Sequence, residues 1–344
     1  MKPTLRDFAA QGPAVQGLIR TLEEGTSVHA YLISGPAGVG KRTLARLIAQ
    51  HRLCTAPDSR SRPCGTCAAC RQMEAGTHPD ITTVIPGVRL DPQSSTSKSR
   101  QIVVDDIRAL VDIAGRHTFE GGTRVFILED CDRMNEAAAN ALLKTLEEPK
   151  EDLLFLLLTA KPEALLSTII SRCRTIRLHP WPDETVRAFL KSREDIPADR
   201  LEEAVHTAAG SFGRALAVAQ DDAFWARRDR VMREFFDLNR LSDIYGISAG
   251  WKDQKEEAEE LLDDLEDMLR TLLLVRLGCL KPEAAAQFPD AWQRFAHSAD
   301  PERFAGLLET VREARRMRNN NVTLQAVLDR ILLRLMEEKT RWQE

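Results

Sequence analysis

The chain has 344 residues, 43% of them hydrophobic and 29% charged, the balance of a globular protein with apolar mass for two or three domains. Its formal net charge of −4 excludes the overall basic footprint of a protein that holds nucleic acid by itself. The opening MKPTLRDFAA has no apolar run or small-residue cleavage site, and the longest apolar runs, such as DLLFLLLTA, are too short for a bilayer, so a cytoplasmic protein is expected.

In chain order, HAYLISGPAGVGKRTLARLIAQHRL reads as strand, glycine loop and helix, with Tyr31 to Ser34 as the strand and Leu44, Leu47 and Ile48 at helical spacing. A cysteine-rich insertion follows over about 54–70, then the polar loop RLDPQSSTSKSRQ and the amphipathic pattern VVDDIRALVDIAGRH. Val125 to Leu128 is predicted as a buried strand ending in acids. NEAAANALLKTLEEP is predicted as a helix capped by Asn135 and closed by Pro149. DLLFLLLTA is a further buried strand, and PEALLSTIISRCRTIRL reads as helix, turn and short strand. Short apolar strands alternating with helices predict a parallel α/β sheet covered on both faces, over residues 1–179. After HPWPDE the strand signal ends. Residues 180–222 read as a small helical domain and 223–344 as a second, all-α one. The charged run from Lys252 to Asp267 reads as the solvated face of a helix.

SGPAGVGKRTLA is a phosphate-binding loop with one altered position. The pattern G-x-x-x-x-G-K-[ST] wants a hydroxyl after the lysine to hold Mg²⁺. Here Arg42 follows Lys41, and Thr43 arrives one residue late. Gly35, Gly38 and Gly40 allow close approach of backbone N–H groups to phosphates, and Lys41 reaches the terminal ones. The alternative is a glycine turn that binds nothing. Hydrolysis also needs an acid on Mg²⁺ at the end of a buried strand. Glu129 and Asp130 stand there in inverted order, which moves each carboxylate by about one methylene, and catalysis tolerates misplacement on the order of 1 Å poorly. A weakened or absent hydrolase is expected, with ATP or ADP and Mg²⁺ as ligands left open.

Cys54, Cys64, Cys67 and Cys70 give C-x₉-C-x₂-C-x₂-C. Four thiolates make a closed tetrahedral Zn²⁺ site with no open position, hence structural. Ferredoxin-type clusters carry their fourth cysteine downstream before a proline; here it lies upstream. Iron–sulfur ligation and free or redox-active thiols remain the alternatives. Cys131 and Cys173 read as buried small apolar residues.

Several stretches together resemble the bacterial DNA polymerase III clamp-loader ATPases of the AAA+ superfamily: HAYLISGPAGVGK, THPDITTV, NEAAANALLKTLEEP, TIISRC, GSFGRAL and NNNVTLQAVLDRILLRL, spread from about Leu5 to Leu335. The resemblance implies an AAA+ nucleotide-binding domain, a helical lid over 180–222 and a helical collar over 223–344, with the cysteine insertion as a zinc module. It implies a five-subunit ring with motor subunits (gamma and tau) and a delta subunit, acting on a sliding clamp and primed DNA. Motor members carry the loop hydroxyl and a regular Asp-Glu pair. Arg42 and the inverted acids instead suit a stator with a degraded nucleotide site. By the same resemblance Arg172 is an arginine finger given in trans to a neighbour's site, Arg214 a lid arginine that senses nucleotide, and Thr159 a polar sensor at a strand end. Taken alone, Arg172 and Arg214 also read as arginines at helix ends. Leu324, Val327, Leu328, Ile331 and Leu335 are expected to supply oligomer contacts from the collar. The rival functions are an ATP-hydrolysing motor of the same complex, with Thr43 or an acid rescuing Mg²⁺, and a stand-alone AAA+ switch in DNA repair.

Overall fold

The computed structural model describes residues 3–26, 28–90, 101–116, 118, 122–149, 152–252, 257–280, 282–319 and 322–341. Most of the polar loop expected after Leu90 lies outside the described residues. The chain divides into two compact units, residues 1–195 with 208–216, and residues 196–207 with 217–344. Residues 180–222, read from sequence as one helical domain, are thus shared between the two.

The first unit contains α1 (Pro13–Glu23), β1 (Ala30–Ser34), α2 (Lys41–Leu53), α3 (Ala68–Ala75), β2 (Ile81–Val84), α4 (Val104–Ala114), β3 (Arg124–Leu128), α5 (Glu136–Glu147), β4 (Leu153–Thr159), α6 (Ser167–Ile170), β5 (Arg174–Arg177) and α7 (Asp183–Lys191). The strands form one parallel sheet in the order β2-β3-β4-β1-β5. Every residue of β1, β3 and β4 is buried, as parallel strands between helical layers must be. β4 pairs with β1 on one side and β3 on the other, with Ser34 opposite Thr159 and Leu128 opposite Leu157. The carboxyl ends of the three strands therefore emerge together, where ligands bind in open α/β sheets. The edge strand β2, from the segment THPDITTV, has only Val84 buried and carried no strong apolar signal in sequence.

The helix predicted from NEAAANALLKTLEEP is α5. Asn135 Oδ1 accepts from the Ala138 N–H at 2.8 Å, satisfying one of the donors a helix N-terminus leaves open. The segment before Cys173 forms only a 3₁₀ turn, Pro162–Ala164, and the single turn of α6.

Among the described residues the regular elements of the second unit are helices: α8 (Leu201–Ala208) up to its last residue, the later part of α9 (Phe212–Gln220), α10 (Asp222–Val231), α11 (Leu241–Trp251), α12 (Ala258–Arg276), α13 (Asp290–Ser298), α14 (Pro301–Asn319) and α15 (Leu324–Thr340). Its core gathers Phe235, Phe236, Trp251, Trp292, Phe295 and Phe304 with the leucines of α12 and α15. The indole N–H of Trp292 donates to the Phe236 carbonyl at 2.8 Å, which lets this large ring sit buried without an orphaned donor.

Two expectations need correction here. Leu324, Val327, Leu328, Ile331 and Leu335 are all buried in the unit's own core. The apolar stripe of α15 is consumed by intrachain packing and is not a surface for subunit contacts. The run from Lys252 to Asp267 is also not uniformly solvated: Asp264 is buried and accepts from Arg227 Nε at 2.6 Å. Burial pushes its carboxyl above the usual range, against the pull of Arg227. Among the described residues, no helix is long and apolar enough to cross a membrane.

Asn135→Ala removes the α5 cap and is expected to cost about 1 kcal/mol, measured as a shift in the urea midpoint of the first unit's transition without change in slope.

Candidate nucleotide site and cysteine cluster

The loop between β1 and α2 is held by its own carbonyl oxygens. Lys41 Nζ donates to the Gly35 and Pro36 carbonyls at 2.7 and 2.8 Å. The Gly213 N–H donates to the Gly38 carbonyl at 3.1 Å, and the Trp181 indole N–H to the Val39 carbonyl at 2.9 Å. The Gly35 N–H donates to the Thr159 carbonyl at 3.2 Å; with its carbonyls tied back, the loop keeps its later N–H groups for a ligand, which is how such nests take phosphate. Two positions require glycine. A Cβ on Gly38, where φ is 72°, would lie 2.2 Å from Ser211 Oγ, and one on Gly35 would lie 2.6 Å from the Leu178 carbonyl oxygen. Ser211 Oγ in turn accepts from the Arg214 N–H at 3.1 Å, so the GSFGRA segment braces the loop through its backbone.

Beside the loop lies a cavity of about 820 Å³ lined by Phe8, Gly38, Lys41, Arg42, Glu129 and Trp181, among others. One wall is aromatic. Phe8 meets Trp181 edge-on at 5.6 Å between centroids, Trp181 meets Phe212 at 5.2 Å, and Phe212 meets Phe189 at 4.9 Å. Gln11 fixes the chain just before Trp181, accepting from the His179 N–H at 2.7 Å and donating to its carbonyl at 3.1 Å. Polar loop, cationic lysine and apolar aromatic wall together are the makings of a nucleotide pocket.

The metal position is a different matter. Arg42 Nη2 is hydrogen-bonded and ion-paired to Glu129 Oε2. The glutamate side chain is 12% exposed and the arginine 64%, so the guanidinium reaches in from solvent to a largely enclosed carboxylate. Thr43, one residue further along α2, is turned about 100° around the helix axis from the place where a hydroxyl would face the metal. Asp130 takes a left-handed backbone, φ 42° and ψ 50°. Asp132 Oδ1 accepts from the Thr159 hydroxyl at 2.6 Å, and Thr159 Oγ1 accepts from the Lys161 N–H at 2.9 Å. The residues therefore fit nucleotide phosphates and do not fit Mg²⁺: a cation already occupies the Glu129 acid, and the Thr159 hydroxyl is committed to Asp132. Burial lowers the Lys41 ammonium below its usual range, while nearby Asp130 and Asp132 pull it back up.

Gly35, Gly38, Gly40, Lys41, Arg42, Thr43, Glu129, Asp130 and Thr159 are thus brought to one edge of the sheet. Arg214 is exposed on the first turn of α9; the cavity wall is made by its neighbours Gly213 and Leu216. Arg172 lies just beyond α6, 31% exposed. Its Nη1 donates to the Thr168 carbonyl at 2.8 Å and its Nη2 lies 2.5 Å from Glu147 Oε1 at the end of α5. Phe8, Gln11, Asp132, Glu147 and Trp181 were not singled out by sequence. Of these, only Asp132, in the acid-ended strand, carried a motif signal.

The four cysteines converge, with all their sulfurs within 4.8 Å of one another. The Cys64 N–H donates to Cys54 Sγ, the Cys67 N–H to Cys64 Sγ and the Cys70 N–H to Cys67 Sγ, each at 3.4 Å. Gly65 supplies the positive φ of 73° that the Cys64–Cys67 turn uses. Donation from the Thr66 hydroxyl and backbone holds the Cys64 thiol down to about 5. Against its burial, donation from backbone N–H groups lowers Cys67 as well, whereas burial pushes the Cys70 thiol up to about 12. N–H groups aimed at sulfur favour the thiolate that ligates metal at Cys64 and Cys67, and the convergence of the four sulfurs is compatible with structural zinc. Cys131 and Cys173 are buried, and burial pushes both thiols up, Cys173 to about 11. That is the behaviour of inert core cysteines.

A five-stranded parallel sheet with a glycine-lysine loop after β1 and acids after β3 defines an AAA+ type P-loop domain, followed by a helical unit. The sequence profile described as DNA polymerase III, delta subunit, matches residues 10–182. DNA polymerase III subunit delta′ of Escherichia coli K12 is 30% identical over 325 residues, covering 94% of this chain and 93% of that relative. The delta′ subunit of Haemophilus influenzae is 27% identical, covering 96% and 94%. The chain belongs to the DNA polymerase III delta′ family. Similarity to subunit tau of E. coli is partial, 35% over 188 residues, or 55% of this chain and 27% of tau. A DNA polymerase III gamma subunit-related protein of Thermotoga maritima superposes with a TM-score of 0.43 at 18% identity, over 95% of this chain and 100% of that one, a likeness too weak to add to the strand order and loop above.

Gly38→Ala would force a Cβ onto Ser211 Oγ at a left-handed residue, with an expected cost of about 1–3 kcal/mol. Thermal unfolding should show this as a lowered midpoint, whereas Gly122→Ala, with open space around its Cβ position, should leave the midpoint nearly unchanged.

Proposed function

We propose that this chain is the stator of a clamp loader: a subunit that does not hydrolyse ATP itself and completes the site of a neighbouring motor subunit with Arg172. The observation that carries the reading is the Arg42–Glu129 pair, which puts a cation on the acid that hydrolysis would use for Mg²⁺. Arg172 is partly exposed and already extended against Glu147, the state of a side chain that can be presented to an external phosphate. The names of the tau and gamma relatives suggest the partners: gamma- or tau-type motors and a delta subunit in a five-membered ring, which opens a sliding clamp and places it on primed DNA in the cytoplasm. In this reading residues 1–179 are the AAA+ domain, 180–222 the lid and 223–344 the collar, with Arg214 and Thr159 as relics of nucleotide sensing. The four cysteines hold one Zn²⁺, which braces the insertion and takes no part in chemistry because four thiolates leave no open position.

The test is reconstitution with motor and delta subunits. Arg172→Ala should leave assembly intact and lower turnover at the neighbouring site by about 10³-fold or more, the range of arginine fingers in comparable NTPases. Undiminished turnover at every motor site would remove Arg172 from that role. Metal analysis of the purified chain should give one zinc per chain, lost in Cys70→Ser together with thermal stability. Full retention of zinc in that variant would contradict the four-thiolate site.

A further inference from the structure

The loop keeps its lysine, its glycines and an open cavity, yet its metal position is filled by the protein's own cation. In a working ATPase the divalent ion neutralises phosphate charge between the loop hydroxyl and the strand acid. Here Arg42 comes from the first turn of α2, the helix that carries Lys41, and bonds to Glu129 at the end of β3. It spans the same two elements the metal would bridge. A guanidinium is never deprotonated in this setting and offers five N–H donors, so it can hold the carboxylate and still present donors to a phosphate.

We propose that this loop takes a nucleoside diphosphate without a divalent cation, the Arg42–Glu129 pair standing where the metal would. Lys41 and the loop N–H groups bind the phosphates. Phe8, Trp181, Phe212 and Phe189, packed edge-on or tilted against one another, line the apolar side of the cavity where the base would lie. The diphosphate is favoured over the triphosphate by charge. Asp130 lines the same cavity as Lys41, and Asp132 is held at that edge by the Thr159 hydroxyl, so a third phosphate would bring further negative charge toward carboxylates that no metal screens. Nucleotide then serves as a fixed brace of the loop and of the GSFGRA segment packed on it, and is not consumed. This proposal does not depend on Arg172: it concerns occupancy of the chain's own loop, and it is read by binding in place of turnover.

The experiment is calorimetric titration of the purified full chain with ADP, in EDTA and again in millimolar Mg²⁺. ADP should bind in EDTA, with an affinity that changes by less than about threefold when Mg²⁺ is present, and more tightly than ATP under the same metal-free conditions. Lys41→Ala should abolish binding. Arg42→Thr restores the hydroxyl after the lysine and releases Glu129. In that variant Mg²⁺ should tighten nucleotide binding by about tenfold or more. Circular dichroism of both variants confirms that the fold is kept. A second arm uses Mn²⁺ as a spectroscopic probe: its resonance should broaden with nucleotide-loaded Arg42→Thr and not with the loaded natural sequence. Failure of ADP to bind in EDTA, a wild-type affinity that rises tenfold with Mg²⁺, or an Arg42→Thr chain indifferent to Mg²⁺ would each overturn the proposal.

Discussion

β4 is the strand on which the site depends. It is buried along all seven residues and paired in parallel with β1 and β3. That pairing fixes the glycine loop after β1 and the acids after β3 on one edge of the sheet, with Thr159 between them. A chain that alternates strand and helix has this convergence imposed on it, because parallel neighbours point their carboxyl ends the same way and right-handed crossovers keep the helices on the faces. The site is thus a consequence of the fold, and its chemistry is then set by which side chains stand at that edge.

At that edge one substitution has several effects. An arginine in place of a hydroxyl removes a metal ligand and adds a cation that reaches Glu129. The acid that would hold Mg²⁺ is engaged, and the enclosed carboxylate is kept from being an unpaired charge, which would be costly. The Thr159 hydroxyl, bonded to Asp132, belongs to the same edge. The loop that remains is well made: its carbonyls are tied by Lys41, Trp181 and Gly213, and its glycines fit where a Cβ would clash. A scaffold kept in this state while its metal site is closed suits a part whose shape matters more than its turnover. Arg172 has the complementary character, held by Glu147 and Thr168 and still accessible.

Much of this was legible in sequence, and the reasons are local. Buried parallel strands write themselves as continuous apolar runs, so β1, β3 and β4 were visible. The Asn135 cap and the glycine-lysine loop are contiguous motifs. The cysteine spacing foretold a cluster whose sulfurs do converge. What escaped depends on residues distant in the chain. Arg42 and Glu129 are 87 positions apart, so sequence showed two separate oddities where the structure shows one ion pair. Phe8 and Trp181 read as ordinary apolar residues until they meet beside the loop. β2 was missed because an edge strand with one buried residue has little apolar signal. The stripe on α15 was seen correctly as apolar and assigned to the wrong partner, since periodicity says that a face is covered and not by what.

The most direct test of the account is steady-state ATP hydrolysis by the purified chain alone with Mg²⁺, set against Lys41→Ala as the background. An arginine paired to the metal acid predicts that the two preparations are indistinguishable. Turnover by the natural sequence that disappears in Lys41→Ala would mean that the displaced Thr43 or another group still holds Mg²⁺, and that the chain is a motor.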